Sequence, residues 1–256
     1  LALNSIGLVY RSLGQYDKAI KHYQQALVIV RRLGKGDRIA SSLIDIGGAY
    51  SEWSKYDNAM ENFQQALTLF RKLGNEDRIA SVLNDIGKVY YSLGQYDKAI
   101  ENYQQALVTF RKLGKEDAIA SVLGNIGLVY KSWGRYDKAI KYYEQALAID
   151  RKLRREGGIA IVLGNIGSVY DSWGQHDKAL ENFQQALAID RKLGKEDAIA
   201  TYLNNIGNLY ISLSQYDKAI ENYQQALTLF RKLGNEHGIA TTLGGIGVVY
   251  KSRRQN

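Results

Sequence analysis

The chain has 256 residues, 45% of them hydrophobic, a formal net charge of +8, and neither proline nor cysteine. This hydrophobic content can form a buried core, the absence of proline favours a nearly all-helical chain, and the absence of cysteine excludes disulfides and thiolate metal sites. No apolar run approaches the roughly 20 residues that span a bilayer, so we expect no membrane partner.

A frame of 40 residues repeats along the whole chain without insertions. Each repeat has a glycine followed three residues later by a tyrosine. The glycines are Gly7, Gly47, Gly87, Gly127, Gly167, Gly207 and Gly247. Residues 81–120 and 201–240 differ at 12 of 40 positions, so 28 are identical. Repetition at this period indicates stacked copies of one supersecondary unit.

The first half of each repeat predicts an amphipathic helix, which we call helix A. In the third repeat its apolar residues step by four and three positions: Ile79, Leu83, Ile86, Tyr90 and Leu93. This spacing places them on one helix face and predicts helix A at about 77–93. Asp77 is expected to cap its start, and Gly94 to close its end.

The second half of each repeat predicts another amphipathic helix, helix B, at about 97–113. The apolar run extends from Tyr96 to Leu113, with Asp97 as the expected cap and Gly114 just beyond the end. Along the chain the pattern gives six pairs of helices and a terminal helix A at about 237–253.

Short turns make the two helices of a pair antiparallel, and neither can bury its apolar stripe alone. We therefore predict an all-α fold of about thirteen helices and no sheet, a right-handed superhelical solenoid of antiparallel helix pairs that forms a single array over residues 1–256. Small residues such as Gly87, Ala99 and Ala106 are expected where the helices approach closely.

The repeating residues resemble the signature of the tetratricopeptide repeat (TPR). They are Leu83, Ile86, Gly87, Tyr90, Ala99, Tyr103 and Ala106. The period is six residues longer than the usual 34, and arginine stands where proline is common. The longer period is similar to that of the repeats in kinesin light chain, in spindle-orientation adaptors and in bacterial tandem-repeat proteins fused to ATPase or protease-like modules. The resemblance implies protein or peptide binding.

Variation among the repeats marks a candidate binding face on helix A. The variable positions are the first, fourth, fifth, eighth and eleventh of each block, and they fall within about a third of the helix circumference. In the resembling family this face lines a concave groove, where side-chain amides hold an extended peptide. The candidate peptide-binding residues are Asn84, Lys88, Tyr91, Asn125, Lys131, Asn165, Asp171, Asn204, Asn205 and Asn208.

Asparagine suits this task because its amide donates and accepts, as a peptide unit does. Tyr91 departs from the repeating tyrosine positions and is the candidate aromatic anchor. Two alternatives remain open for this face: that it is simply solvated, or that its asparagines bond one another between stacked repeats.

Much of the positive charge occupies repeating positions. Twelve of the 34 Lys and Arg residues form six pairs in the last turn of helix B, such as Arg111 and Lys112, where a cation complements the helix dipole. Counted with Glu52 beside them, the groove positions carry four positive and four negative charges, namely Arg11, Lys88, Lys131 and Lys251 against Asp45, Glu52, Asp85 and Asp171. We therefore expect no specific nucleic-acid partner, although salt-sensitive nonspecific binding along the helix B ends stays open.

Nothing in the sequence indicates catalysis. The three histidines, His22, His176 and His237, lie at different places in the repeat, and no nucleophile stands beside an evident base. We predict no enzyme, no catalytic or metal-binding residue and no cofactor.

The function predicted is a cytoplasmic scaffold that binds an extended peptide or a partner helix in the groove, as part of a longer chain. The alternative is an assembly element, either a spacer or a solenoid that self-associates end to end. We also expect the weakest junction at residues 154–158, which lack the closing glycine and capping aspartate found at residues 114–118.

Overall fold

A computed structural model describes residues 2–253, and this part of the chain forms thirteen α-helices and no strand. The helices are α1 (Ala2–Ser12), α2 (Tyr16–Arg32), α3 (Gly36–Glu52), α4 (Tyr56–Leu73), α5 (Glu76–Ser92), α6 (Tyr96–Lys112), α7 (Glu116–Ser132), α8 (Tyr136–Lys152), α9 (Glu156–Ser172), α10 (His176–Leu193), α11 (Glu196–Ser212), α12 (Tyr216–Lys232) and α13 (Glu236–Arg253). Odd-numbered helices are helices A and even-numbered helices are helices B. The predicted all-α helical-repeat solenoid is confirmed.

α5 and α6 begin and end one residue earlier than predicted, and α13 begins one residue earlier but ends at Arg253 as predicted. The earlier starts reflect different N-caps. Asn75 is the N-cap of α5, and its side chain accepts a hydrogen bond from the backbone N–H of Arg78. Asp77 lies inside the first turn, where its charge favours the positive helix end. Likewise Gln95, not Asp97, is the N-cap of α6.

The helices divide into two compact units, one ending at Val129 and the other beginning at Tyr130. In unit 1, neighbouring helices from α1 to α6 pack against one another, and α3 also contacts α5. In unit 2, neighbouring helices from α8 to α13 pack in the same way, and α11 also contacts α13. Consecutive helices A therefore touch inside each unit. The single array over residues 1–256 stays a prediction.

An aromatic ring from helix B lies on the repeating glycine of helix A. A Cβ atom added to Gly87 would lie 2.6 Å from the ring of Tyr103, and one added to Gly207 would lie 2.7 Å from Tyr223. Both rings are at most 2% exposed. The glycine is therefore required by the ring that packs on it.

The turns after helices contain a residue in the left-handed conformation, and this residue is usually glycine. Gly94 and Gly114 have φ of 69° and 64°, as the positions predicted. In three turns a residue with a side chain takes this conformation, namely Ser54, Arg154 and Ser214. Arg154 belongs to the junction predicted to be weakest, and its conformation is strained for a side-chain-bearing residue.

Candidate functional site

The candidate residues lie on helices A, four of them in unit 1 and six in unit 2. The name unit 1 face is used for the four residues Asn84, Lys88, Tyr91 and Asn125. The name unit 2 face is used for the remaining six, which are Lys131, Asn165, Asp171, Asn204, Asn205 and Asn208. Their surroundings differ because the residues beside them differ from repeat to repeat.

Two candidate amides of unit 1 bond each other. Nδ2 of Asn125 on α7 donates to Oδ1 of Asn84 on α5 at 2.9 Å, and the contact is partly buried. Asn4 and Asp45, at the same spacing of 41 residues, form the corresponding bond between α1 and α3 at 3.1 Å. These positions therefore form a ladder between successive helices A, which was one of the two alternatives to ligand contact.

The other two candidates of the unit 1 face also have neighbours within the chain. Nζ of Lys88 donates to Asp85 at 2.9 Å, although 53% of the lysine side chain stays exposed. The ring of Tyr91 is half-buried and lies 6.1 Å from that of Tyr96 at the start of α6. Part of the Tyr91 surface is thus used in packing, and part is accessible.

A pocket of about 280 Å³ opens on unit 1 between α1, α3 and α5. Ile44 and Phe63 line its apolar part, and a Cβ atom added to Gly48 would lie 3.0 Å from the guanidinium of Arg11. The other lining residues are Arg11, Ser51, Glu52, Asp85 and Lys88. Candidate residue Lys88 therefore lies at the edge of a cavity with an apolar part and two ion pairs.

The Arg11–Glu52 pair was missing from the predicted site. Nε and Nη2 of Arg11 donate to the two carboxylate oxygens of Glu52 at 2.8 and 2.6 Å. This hydrogen bonding, opposed by burial, raises the pKa of Arg11 above its ordinary value. Burial also raises the pKa of the neighbouring Asp45 carboxyl, while Arg11 and Arg78 oppose the rise. The 41-residue spacing shared with Asn84 and Asn125 is the sequence signal for this pair.

Two amides of the unit 2 face are open. Asn165 on α9 and Asn205 on α11 are half-buried, and neither side chain has a hydrogen-bond partner within residues 2–253. The residue 41 positions before Asn205 is Gly164, which has no amide to complete a ladder. The amides of Asn165 and Asn205 are therefore left without an internal partner.

Tyr202 explains why Gly164 is present. A Cβ atom at Gly164 would lie 2.6 Å from the Tyr202 side chain, whose hydroxyl donates to the backbone oxygen of Ala160 at 3.0 Å. Burial raises the pKa of Tyr202 to about 12, so this hydroxyl keeps its proton at neutral pH. The ring occupies the space beside α9, and the amide of Asn205 is left open as a consequence.

The remaining asparagines of the unit 2 face are held differently from each other. Asn204 is 8% exposed, and its Oδ1 accepts from the hydroxyl of Thr242 at 3.0 Å. It is a packing contact between α11 and α13, and we leave it out of the proposed site. Asn208 is exposed, and its Oδ1 accepts from the hydroxyl of Tyr223 at 2.6 Å. Its Nδ2 remains available as a donor.

The charged members of the unit 2 face lie near each other. Nζ of Lys131 donates to Oγ of Ser168 at 2.5 Å, and burial lowers the pKa of this lysine while Asp171 opposes the change. Asp171 also lies 3.4 Å from Nδ1 of His176. Farther along the helix that carries Asp171, Ile161 is an exposed apolar side chain four residues before Asn165, with 57% of its surface accessible. The unit 2 face thus offers amides, charges of both signs and one apolar contact.

Other kinds of site have little support in the part of the chain that the structure describes. Residues 2–253 contain no group of three or more His, Asp or Glu side chains placed to hold a metal ion. Within the same range, no helix is long and apolar enough to cross a membrane.

Comparison with protein-family models gives matches to the tetratricopeptide repeat along most of the chain. One model matches residues 1–72, 78–152 and 198–256. A second model of the same repeat matches residues 160–193. A search of curated proteins finds no match.

Several solved structures are similar in fold. BtubC (BKLC) from P. vanneervenii has a TM-score of 0.76 at 22% identity, and the match covers 87% of this chain and 93% of that one. A putative kinesin light chain with TPR-like repeats from Podosopora anserina has a TM-score of 0.64 at 19% identity, with 76% and 95% covered. A Rap protein complexed with competence and sporulation factor has a TM-score of 0.70 at 17% identity, with 99% and 75% covered. At these identities the likeness concerns the fold.

Proposed function

Because the chain belongs to the tetratricopeptide-repeat family, we propose that it is a protein-interaction scaffold whose unit 2 face binds an extended peptide. The observation that carries the proposal is the pair of open amides, Asn165 and Asn205, on successive helices A. An amide without an internal partner can donate to and accept from a peptide backbone at once. The Rap protein structure, which holds a bound factor, agrees with such a use of this fold.

The neighbours of these amides define what the peptide contributes. The free Nδ2 of Asn208 donates to a backbone carbonyl, because its oxygen is engaged by Tyr223. The exposed Ile161 contacts an apolar side chain, and Lys131 attracts an acidic one. The bound segment is therefore extended, with one apolar and one acidic residue.

The unit 1 face is expected to contribute less to peptide binding than the unit 2 face. Asn84 and Asn125 already satisfy part of each other's hydrogen bonding, so a ligand gains less from them. Lys88 and the exposed part of Tyr91 remain contacts for a peptide side chain at the rim of the 280 Å³ pocket.

The test begins with peptides selected from a random display library on the full chain. The affinity of a selected peptide is then compared for the wild type, Asn165→Ala, Asn205→Ala and the control Asn222→Ala. Asn222 is a half-buried helix B residue whose amide donates to its own helix at Lys218 O, 2.8 Å away. Loss of an interfacial amide contact costs about 1–3 kcal/mol, or roughly five- to a hundredfold in affinity.

A second control removes charge from the helix B ends. The double change Arg111→Gln and Lys112→Gln leaves peptide affinity unchanged if the helix A face carries the binding. Loss of binding in this double variant, with full binding by Asn165→Ala and Asn205→Ala, would contradict the proposal. Sedimentation equilibrium of the free chain tests the alternative, because end-to-end assembly makes the mass depend on concentration.

A further inference from the structure

Positive charge is concentrated in the turns that lead from each helix B to the next helix A. These segments are 31–38, 71–78, 111–118, 151–158, 191–198 and 231–238. Together they hold 19 of the 34 basic residues and 9 of the 26 acidic ones, a net charge of +10, so the other 208 residues carry −2. The excess charge of the chain therefore belongs entirely to these turns.

Within each unit the three turns lie at the same ends of antiparallel helix pairs and form one edge. The name unit 1 basic edge is used for the segments 31–38, 71–78 and 111–118. The name unit 2 basic edge is used for the segments 151–158, 191–198 and 231–238. Each edge carries a net charge of +5. A field of one sign along an edge attracts an anionic partner over about a Debye length.

Some acidic residues of the turns pair with lysines, and one arginine in each turn is left without such a pair. Nζ of Lys112 contacts Glu76 at 2.9 Å, and Nζ of Lys232 contacts Glu196 at 2.5 Å. One exposed arginine per turn forms no ion pair within residues 2–253. These are Arg31, Arg71, Arg111, Arg151, Arg191 and Arg231.

An exposed leucine lies two residues after the arginine in most of these turns. On the unit 1 basic edge Leu33, Leu73 and Leu113 are 58%, 51% and 37% exposed. On the unit 2 basic edge Leu193 and Leu233 are 42% and 44% exposed. The helix dipole accounts for a cation at this position, but it places no demand on the leucine.

We propose that the two basic edges are peripheral docking surfaces for a bilayer that contains anionic phospholipid. Arginines attract the headgroups, and the adjacent leucines enter the interface, where apolar side chains and cations act together. The same group recurs in turn after turn, which suits a uniform surface better than a peptide of defined sequence. The expectation of no membrane partner was based on the absence of a spanning segment, and a peripheral contact needs none.

Nucleic acid fits these edges less well. The six segments contain no Phe, Tyr or Trp on which a base could stack. Phosphate contacts would use the arginines, but they would leave the exposed leucines in water. The combination of charge and apolar surface therefore favours lipid.

The test is flotation of the full chain with vesicles of phosphatidylcholine, alone or with 30% phosphatidylserine, at low and physiological salt. We expect binding only to the vesicles with phosphatidylserine. The triple variant Arg31→Gln, Arg71→Gln, Arg111→Gln should lower the partition coefficient roughly ten- to a hundredfold, since each cation near an anionic surface contributes to binding. Leu33→Ser with Leu73→Ser keeps all charges and should also weaken binding several-fold.

The matched control removes three lysines at the other ends of the helix pairs of unit 1, where helix A leads into helix B, by Lys18→Gln, Lys55→Gln and Lys98→Gln. It lowers the net charge equally, so retained vesicle binding separates the basic edge from total charge. Equal loss in both triple variants overturns the proposal, as does failure of the wild type to bind phosphatidylserine vesicles. Binding to a 20-bp DNA duplex or to poly-glutamate without binding to vesicles also overturns it and assigns the edge to that polyanion.

Discussion

The ring of Tyr103 lies directly on Gly87, so close that a single added carbon atom would be 2.6 Å from the ring. The two residues come from the two helices of one pair, α5 and α6. Gly47 with Phe63 and Gly207 with Tyr223 form the same contact in other repeats. The most regular glycine of the sequence is thus a packing requirement of these three pairs.

We predict that Gly87→Ala destabilises the protein by about 1–3 kcal/mol, because the new methyl group overpacks against the Tyr103 ring. Gly124→Ala is the matched control, since nothing lies within 4 Å of a Cβ atom there. Alanine in that open helical position should stabilise by about 0.5–1 kcal/mol. Urea unfolding followed by circular dichroism measures both, and equal effects at the two sites would refute the packing argument.

The period of the sequence was enough to predict the helices, because each apolar stripe repeats in fixed register. It was not enough to predict which amides are open. That depends on contacts between residues 41 apart on neighbouring helices, such as Asn84 with Asn125, and on a tyrosine that fills the space at Gly164. The groove face was therefore predicted as a set, whereas the difference between Asn125 and Asn205 required the structure.

The junction at residues 154–158 should open more readily than the one at residues 114–118. Arg154 has φ of 54° where Gly114 has 64°, and a side chain makes this conformation costly. We expect faster amide hydrogen exchange at the first junction, and Arg154→Gly should stabilise the protein by about 1 kcal/mol. Equal protection at both junctions, together with no gain from Arg154→Gly, would contradict this prediction.

A buried carboxyl should make stability depend on pH. Asp190 is 1% exposed, stands where the third repeat has Phe110, and has an Oδ1 without a hydrogen-bond partner in the described residues. Burial raises its pKa above the ordinary value, while Lys195, 3.9 Å away, opposes the rise. The folded protein therefore binds this proton more tightly than the unfolded chain does, and its contribution to stability falls as pH rises from about 4 through the raised pKa.

Asp190→Asn removes this titration and should raise the free energy of unfolding at pH 7 by an amount on the order of 1 kcal/mol. The pH dependence of unfolding between pH 4 and 7 should also become flatter. The control is Glu221→Gln, which neutralises an exposed helix B carboxyl. A variant that is less stable than the wild type at pH 7 would show that the Lys195 contact outweighs the cost of burial.

The hydroxyl of Tyr223 should matter for binding more than for folding. It donates to Oδ1 of Asn208 at 2.6 Å, and burial raises the pKa of Tyr223 to about 12, so the donor is present at neutral pH. Phe63 and Phe183 occupy the same repeat position, which shows that the packing accepts a ring without a hydroxyl. Tyr223→Phe should therefore change stability by about 1 kcal/mol or less.

With its oxygen released, the Asn208 side chain rotates freely and no longer presents Nδ2 in one direction. The affinity for a selected peptide should fall roughly three- to tenfold, since ordering a side chain on binding costs about 0.5–1.5 kcal/mol. Asn208→Ala should give at least the same loss, and combining it with Tyr223→Phe should add nothing, because the hydroxyl acts only through the amide. Additive losses in the double variant would mean that Tyr223 supports the binding face by another route.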